Sequence, residues 1–211
     1  MSLETICEAV LKGNAKVAAA ETQAAVEAGI SASEILHQAC IPAMTEVGRL
    51  FESGEKFVPE MLIAARAMQK ALEILKPLLM QAEVETLGKV VIGTVAGDLH
   101  DIGKNLVAMM LEGSGFQIVD LGNDVSPEKF VEAVRQHEPD LVGMSALLTT
   151  TVASISETIQ ALTEAGLRDK VKVIIGGAPI TQDFANKVGA DGFAPDAGSV
   201  ARMAKSLLGV A

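Results

Sequence analysis

Val90-Val91-Ile92-Gly93-Thr94-Val95, then Ala96-Gly97-Asp98-Leu99-His100-Asp101-Ile102-Gly103-Lys104, then Asn105-Leu106-Val107-Ala108-Met109-Met110-Leu111 is the stretch that decides the fold. Its first part is a short apolar run and reads as a buried strand. Its last part reads as a helix. The polar residues between them lie on a loop that leaves a strand and enters a helix. A histidine two residues after an aspartate on such a loop can present one imidazole nitrogen outward. The aspartate can then hold the other nitrogen, as a carboxylate does behind a metal-bound histidine.

Working outward, three more segments end in the same way. Gly143-Met144-Ser145-Ala146-Leu147 follows the apolar Leu141-Val142, Ile174-Ile175-Gly176-Gly177-Ala178-Pro179 closes Val171-Lys172-Val173, and Phe193-Ala194-Pro195-Asp196-Ala197 closes a shorter run. From residue 89 the pattern alternates strand and helix five times, with strands near 89–95, 117–121, 140–145, 171–175 and 191–194. Helices are expected near 103–113, 126–136, 152–165, 181–188 and 197–208, and Ser126-Pro127 is a helix start with Ser as cap. This predicts an α/β domain, a doubly wound five-stranded parallel sheet of flavodoxin-like order. In such sheets ligands bind outside the carboxyl ends of the strands, so the loops would converge on one site.

Residues 1–88 carry helical periods and no convincing strand, which predicts a small helical bundle of four short helices. Ser31 and Glu34 form a capping-box pattern. Pro42 should kink or restart its helix, and Pro77 should bend or end the one that begins near Pro59. Residues 80–88 read as a linker, giving domains 1–88 and 89–211.

Composition narrows the function. Hydrophobic residues make up 49% of the 211, enough for real cores, with 6 Phe and no Trp or Tyr. The 17 Lys and Arg against 27 Asp and Glu give a formal net charge of −10, which argues against a nucleic-acid partner. The 2 cysteines, Cys7 and Cys40, make no disulfide framework and read as reduced core thiols of a cytoplasmic protein. The N-terminus has no basic region of signal-peptide type, and no apolar run approaches the ~18 residues of a membrane span.

Asp98-x-His100-x-x-Gly103, then Ser145-x-Leu147, then Gly176-Gly177 resembles the cobalamin-binding domains of methyltransferases and mutases. The likeness covers Lys89 to Ala211, and Val47 through Leu62 resembles the helical cap module of the same proteins. The nearest family is that of the small corrinoid proteins of multi-component methyltransferase systems, which demethylate methylamines, betaines, methanol or methoxylated aromatics; it is related to the cobalamin domain of methionine synthase.

The resemblance implies a cobalamin or related corrinoid cofactor. His100 would replace the corrinoid's own benzimidazole as lower ligand to cobalt, Asp98 would hold its far nitrogen, and Thr151 would extend the pair where relatives carry serine. Thr151 reads equally well as a helix cap. Ser145 would meet the detached benzimidazole, Leu147 would line its slot, and Gly143, Gly176 and Gly177 would let the nucleotide tail approach. Gly97, Asp101, Ile102, Gly103 and Thr149, with Thr150 a weaker candidate, would complete the cradle. Asp196 reads as a helix cap. Met61 and Leu62 would lie over the upper corrin face.

The function so implied is a methyl carrier. A substrate-specific methyltransferase loads a methyl group on Co(I), and a second methyltransferase takes it from methyl-Co(III) to a thiol or a tetrahydrofolate-type acceptor. A reductive activase is a further expected partner. The chain is not expected to turn over a substrate alone. A radical mutase subunit would use the same loops but lacks such a helical cap, and a cobalamin sensor would need an output domain.

Overall fold

In the computed structural model, residues 3–81 and 86–210 are described. The chain divides into two compact units, Met1–Thr86 with Glu112–Gly115, and Leu87–Leu111 with Phe116–Ala211. Ala82 to Glu85, the middle of the expected linker, lie outside the described residues.

The first unit contains α1 (Leu3–Leu11), α2 (Ala15–Glu27), α3 (Ala32–Ile35), α4 (Ile41–Glu52) and α5 (Val58–Gln81). Asn14 caps α2 by accepting the Val17 N–H, and Ser31 caps α3 by accepting the Glu34 N–H. These are five α-helices among the described residues rather than four, because the expected third helix restarts at Pro42 as α4. A π-helical turn over Leu36–Cys40 joins α3 to α4, and Pro42 sits in the first turn of α4, where a missing N–H is tolerated. Pro77 lies inside α5 and does not end it. It falls near the helix end on an exposed face, where solvent can serve the carbonyl of Glu73 that proline leaves unbonded. Met61, Ala64, Ala65, Met68, Leu72 and Leu75 form the buried stripe of α5 at helical spacing. Both cysteines are free; burial, chiefly, pushes the Cys40 thiol up to about 12, as befits an inert core residue. No described helix is long and apolar enough to cross a membrane.

The second unit alternates β1 (Lys89–Thr94), α6 (Ile102–Gly113), β2 (Gln117–Asp120), α7 (Pro127–His137), β3 (Leu141–Ser145), α8 (Ala153–Glu164), β4 (Lys172–Gly176), α9 (Gln182–Val188), β5 (Gly192–Phe193) and α10 (Ser199–Leu208). The sheet is all parallel, in the order β2-β1-β3-β4-β5, which is the flavodoxin-like order. Central strands are apolar on both faces because helices cover both. Val91, Val142 and Val173 are fully buried and pack with Phe130, Ile155 and Leu162 into one core.

The strand order reverses between β1 and β3, so the loops leaving these two strands flank the crevice where such sheets bind ligands. Their registers meet at the carboxyl edge: Thr94 pairs with Ser145, and Ser145 with Gly176.

Candidate functional site

The loop after β1 turns at Gly97, whose φ of +80° is open to glycine at no steric cost. It then buries Asp98 completely and leaves the His100 side chain 50% exposed. Asp98 Oδ1 accepts the His100 N–H at 3.0 Å and lies 2.8 Å from His100 Nδ1. Its Oδ2 accepts the Leu147 N–H at 2.7 Å, the Leu148 N–H at 3.2 Å and the Thr151 hydroxyl at 2.7 Å. Both backbone donors come from the loop after β3, so the carboxylate bridges the switch point of the sheet.

Burial pushes the Asp98 carboxyl up, but hydrogen bonds from the His100 and Leu147 N–H groups, the Thr151 hydroxyl and the His100 imidazole outweigh it. They hold the group well below the usual carboxylate range. An ionised carboxylate only accepts, so His100 Nδ1 carries the proton and donates it. Nε2 is left with its lone pair. Thr151 Oγ1 lies 2.9 Å from the Leu148 carbonyl as well, but its one proton goes to the charged and closer acceptor. The helix α8 starts two residues later, with no side-chain cap from Val152.

The two loops that meet at Asp98 also carry exposed apolar side chains. Leu99, Ile102, Leu147 and Leu148 are all exposed large hydrophobic residues, Ile102 to 72%. Among the described residues no three His, Cys, Asp or Glu side chains are grouped to hold a metal. A metal at Nε2 would therefore take one protein nitrogen and bring its other ligands with it. A flat macrocycle with an apolar face and an embedded metal fits this donor set; a bare ion does not.

Ser145 Oγ lies 3.3 Å from Thr94 Oγ1, which donates to the His100 carbonyl at 3.1 Å. Gly143, Gly176 and Gly177 have neighbours inside the chain. A Cβ on Gly143 would meet Ile92 at 3.1 Å, one on Gly176 the Ala194 carbonyl at 3.0 Å, and one on Gly177 the Ala146 carbonyl at 1.9 Å. Gly177 also has a φ of +131°, so backbone packing alone requires glycine there. Asp101 immediately precedes α6, its carbonyl accepting the Asn105 N–H, and Ile102 and Gly103 follow it on the exposed first turn. Thr149 and Thr150 are exposed in the turn before Thr151. Asp196 accepts the N–H of Ser199, the first residue of α10. On α5, Met61 is fully buried, whereas its neighbour Leu62 is exposed.

Sequence reasoning missed Thr94, Leu148 and the loop after β2. Asp124 Oδ1 accepts the Gly97 N–H at 2.7 Å, and Asn123 Nδ2 donates to the Leu99 carbonyl at 3.3 Å. The available signal was position: Leu121-Gly122-Asn123-Asp124 also leaves the carboxyl end of a strand.

The chain is similar to known proteins along most of its length. Models described as B12 binding domain match residues 88–202 and residues 2–76. The trimethylamine corrinoid protein 1 of Methanosarcina acetivorans is 41% identical over 203 residues, covering 95% of this chain and 94% of the relative. A crystal structure of a cobalamin-binding protein from Desulfitobacterium hafniense superposes with a TM-score of 0.81 at 35% identity, covering 98% of each chain. A chain of the methanol:cobalamin methyltransferase complex from Methanosarcina barkeri does so with a TM-score of 0.86 at 31% identity, covering 98% of this chain and 79% of that one.

Proposed function

The chain belongs to the family of B12-binding corrinoid proteins, and from that premise we propose that it is a methyl carrier in which His100 is the axial protein ligand to the corrinoid. A bound corrinoid supplies a cobalt centre that can accept a methyl group and give it up again. The rest is done by the chain's own residues. His100 presents Nε2 from a half-exposed imidazole. Asp98 keeps the proton on Nδ1, which fixes the tautomer and makes Nε2 the better donor. Thr151 and the Leu147 and Leu148 N–H groups keep Asp98 ionised and in place. The same Asp98 bond to Nδ1 would hold the direction of the imidazole whether or not Nε2 carries a ligand.

The exposed apolar side chains of Leu99, Ile102, Leu147 and Leu148 would lie against a bound corrinoid and keep water from Nε2. Ser145 and Thr149 are the polar side chains at the crevice available to a nucleotide tail, while Gly143 and Gly176 make room for Ile92 and the Ala194 carbonyl within the chain. In the helical unit, Met61 acts through packing and Leu62 presents exposed apolar surface.

The carrier works with methyltransferases. A substrate-specific enzyme loads the methyl group, a second one transfers it to a thiol or a tetrahydrofolate-type acceptor, and a reductive activase restores an oxidised cofactor. The observation that carries this reading is the Asp98–His100 bond at 2.8 Å, made through Nδ1 of a half-exposed imidazole, which leaves Nε2 as the nitrogen to present. The test is the paramagnetic resonance spectrum of the Co(II) form. His100→Ala should abolish the axial protein-nitrogen signature with the fold intact. Survival of that signature would refute the assignment.

A further inference from the structure

The loop after β2 makes no use of the recognised motif, yet it is fastened to the His100 loop at several points. Asp124 accepts the Gly97 N–H through Oδ1 at 2.7 Å and donates its own N–H to the Asp98 carbonyl at 3.0 Å. It therefore holds the backbone on both sides of the Asp98 Cα. Asn123 adds a bond to the Leu99 carbonyl at 3.3 Å, and the Gly122 carbonyl accepts the Thr94 N–H at 3.0 Å. At its base the loop is anchored by Lys104, whose buried Nζ lies 2.7 and 2.6 Å from the two carboxylate oxygens of Asp120. Lys104 stands on α6 just past His100, so the brace closes on both flanks of the ligand loop.

Asp124 does this in a left-handed conformation, with a φ of +52°. Among the described residues the other non-glycine residue with positive φ is Glu138, which ends α7 where such a conformation is commonplace. Asp124 ends no helix. Asp and Asn tolerate this region better than most residues, but it is still sparsely populated and persists only where the surroundings over-determine it. Here the surroundings are the two bonds to Gly97 and Asp98.

Asp98 has little latitude. Its carboxylate must meet the donors of the loop after β3 and the imidazole at the same time. A small rotation of its backbone would move one set out of range. We propose that Asp124 is a positioning residue for the axial ligand: by clamping Gly97 and Asp98 it sets the direction in which His100 presents Nε2. This rests on His100 being that ligand.

The test uses the full chain reconstituted with cob(II)alamin. Asp124→Gly keeps the backbone conformation and removes the acceptor; Asp124→Asn keeps both. The readouts are the histidine-ligated fraction from the nitrogen hyperfine signature, and amide exchange at Gly97 in the apo chain. Asp124→Gly should lower the histidine-on equilibrium about tenfold, at the low end of the range for residues behind a metal ligand, and should speed exchange at Gly97. Asp124→Asn should stay near the parent in both. A glycine variant unchanged in both readouts would overturn the proposal, as would an asparagine variant as impaired as the glycine one. His100→Ala is the control. If it loses the nitrogen signature while Asp124→Gly behaves as the parent, only the positioning role fails. If it retains the signature, the ligand assignment fails and the positioning role with it.

Discussion

Asp98 and Thr22 are both completely buried, one in each unit, and are treated in opposite ways. Asp98, at the carboxyl edge of the sheet, accepts hydrogen bonds from two loops, and every partner is a donor. Thr22, inside the helical unit, has no partner for its hydroxyl among the described residues. An unpaired buried hydroxyl costs free energy and does nothing for specificity. The helical unit tolerates that because its fold is set by an apolar stripe, where size and spacing matter more than identity. The edge of the sheet has no such freedom, since its side chains and backbone atoms must meet in defined directions.

The contrast can be broken or sharpened by substitution. The largest effect should come from Gly177→Ala, whose Cβ would lie 1.9 Å from the Ala146 carbonyl at a φ of +131°. A loss of about 3 kcal/mol or more is expected in denaturant melts, because a backbone atom cannot step aside as a side chain does.

Asp98→Asn puts an amide, with only one acceptor atom, among donors on both sides. Histidine ligation should weaken about 10- to 100-fold in spectroscopic titration. It should also change acid stability. Folding lowers the Asp98 pKa, so the unfolded chain binds that proton more readily. The carboxylate stabilises the fold at neutral pH and loses this contribution as pH falls below about 4. The asparagine variant should therefore lack that part of the acid-induced loss in melts at successive pH values.

Thr22→Val should do the reverse in the helical unit. Removing an unsatisfied hydroxyl at constant shape should leave stability unchanged or raise it by up to about 1 kcal/mol. A loss of stability would mean that the hydroxyl has a role the contrast denies. The smallest effect is expected for Thr151→Ser, which keeps the hydroxyl on Asp98. Stability should change by less than about 0.5 kcal/mol, and the histidine-on equilibrium should not move measurably.

Much of this was legible in the sequence, and the reasons are local. Val90-Val91-Ile92 and Leu141-Val142 are apolar on both faces, so the strands and the parallel sheet follow from short runs ending in polar loops. Asp98 and His100 are two residues apart, so their pairing needs no long-range information. Asp124 and Gly97 lie on different loops, and only the pairing of β1 with β2 brings them together. Thr94 reads as the end of a strand until its register with Ser145 is known. Met61 was within reach of periodicity: it shares a stripe with Ala64, Ala65 and Met68, and Leu62 does not. Pro42 restarts its helix, one of the two outcomes its chemistry implies, whereas Pro77 does not end α5: a missing N–H ends a helix only where a bond is needed, and Pro77 sits near the helix end.

The central claim is that the axial nitrogen comes from His100 and not from the corrinoid's own base. The most direct measurement is the Co(II) paramagnetic resonance spectrum of protein labelled with nitrogen-15 at histidine, in a His37→Gln, His137→Gln background so that His100 alone carries the label. With an unlabelled corrinoid, the account predicts that the nitrogen hyperfine pattern changes from a triplet to a doublet. A triplet that persists in the labelled protein would place the corrinoid's base, or another unlabelled nitrogen, on the cobalt and would contradict the account.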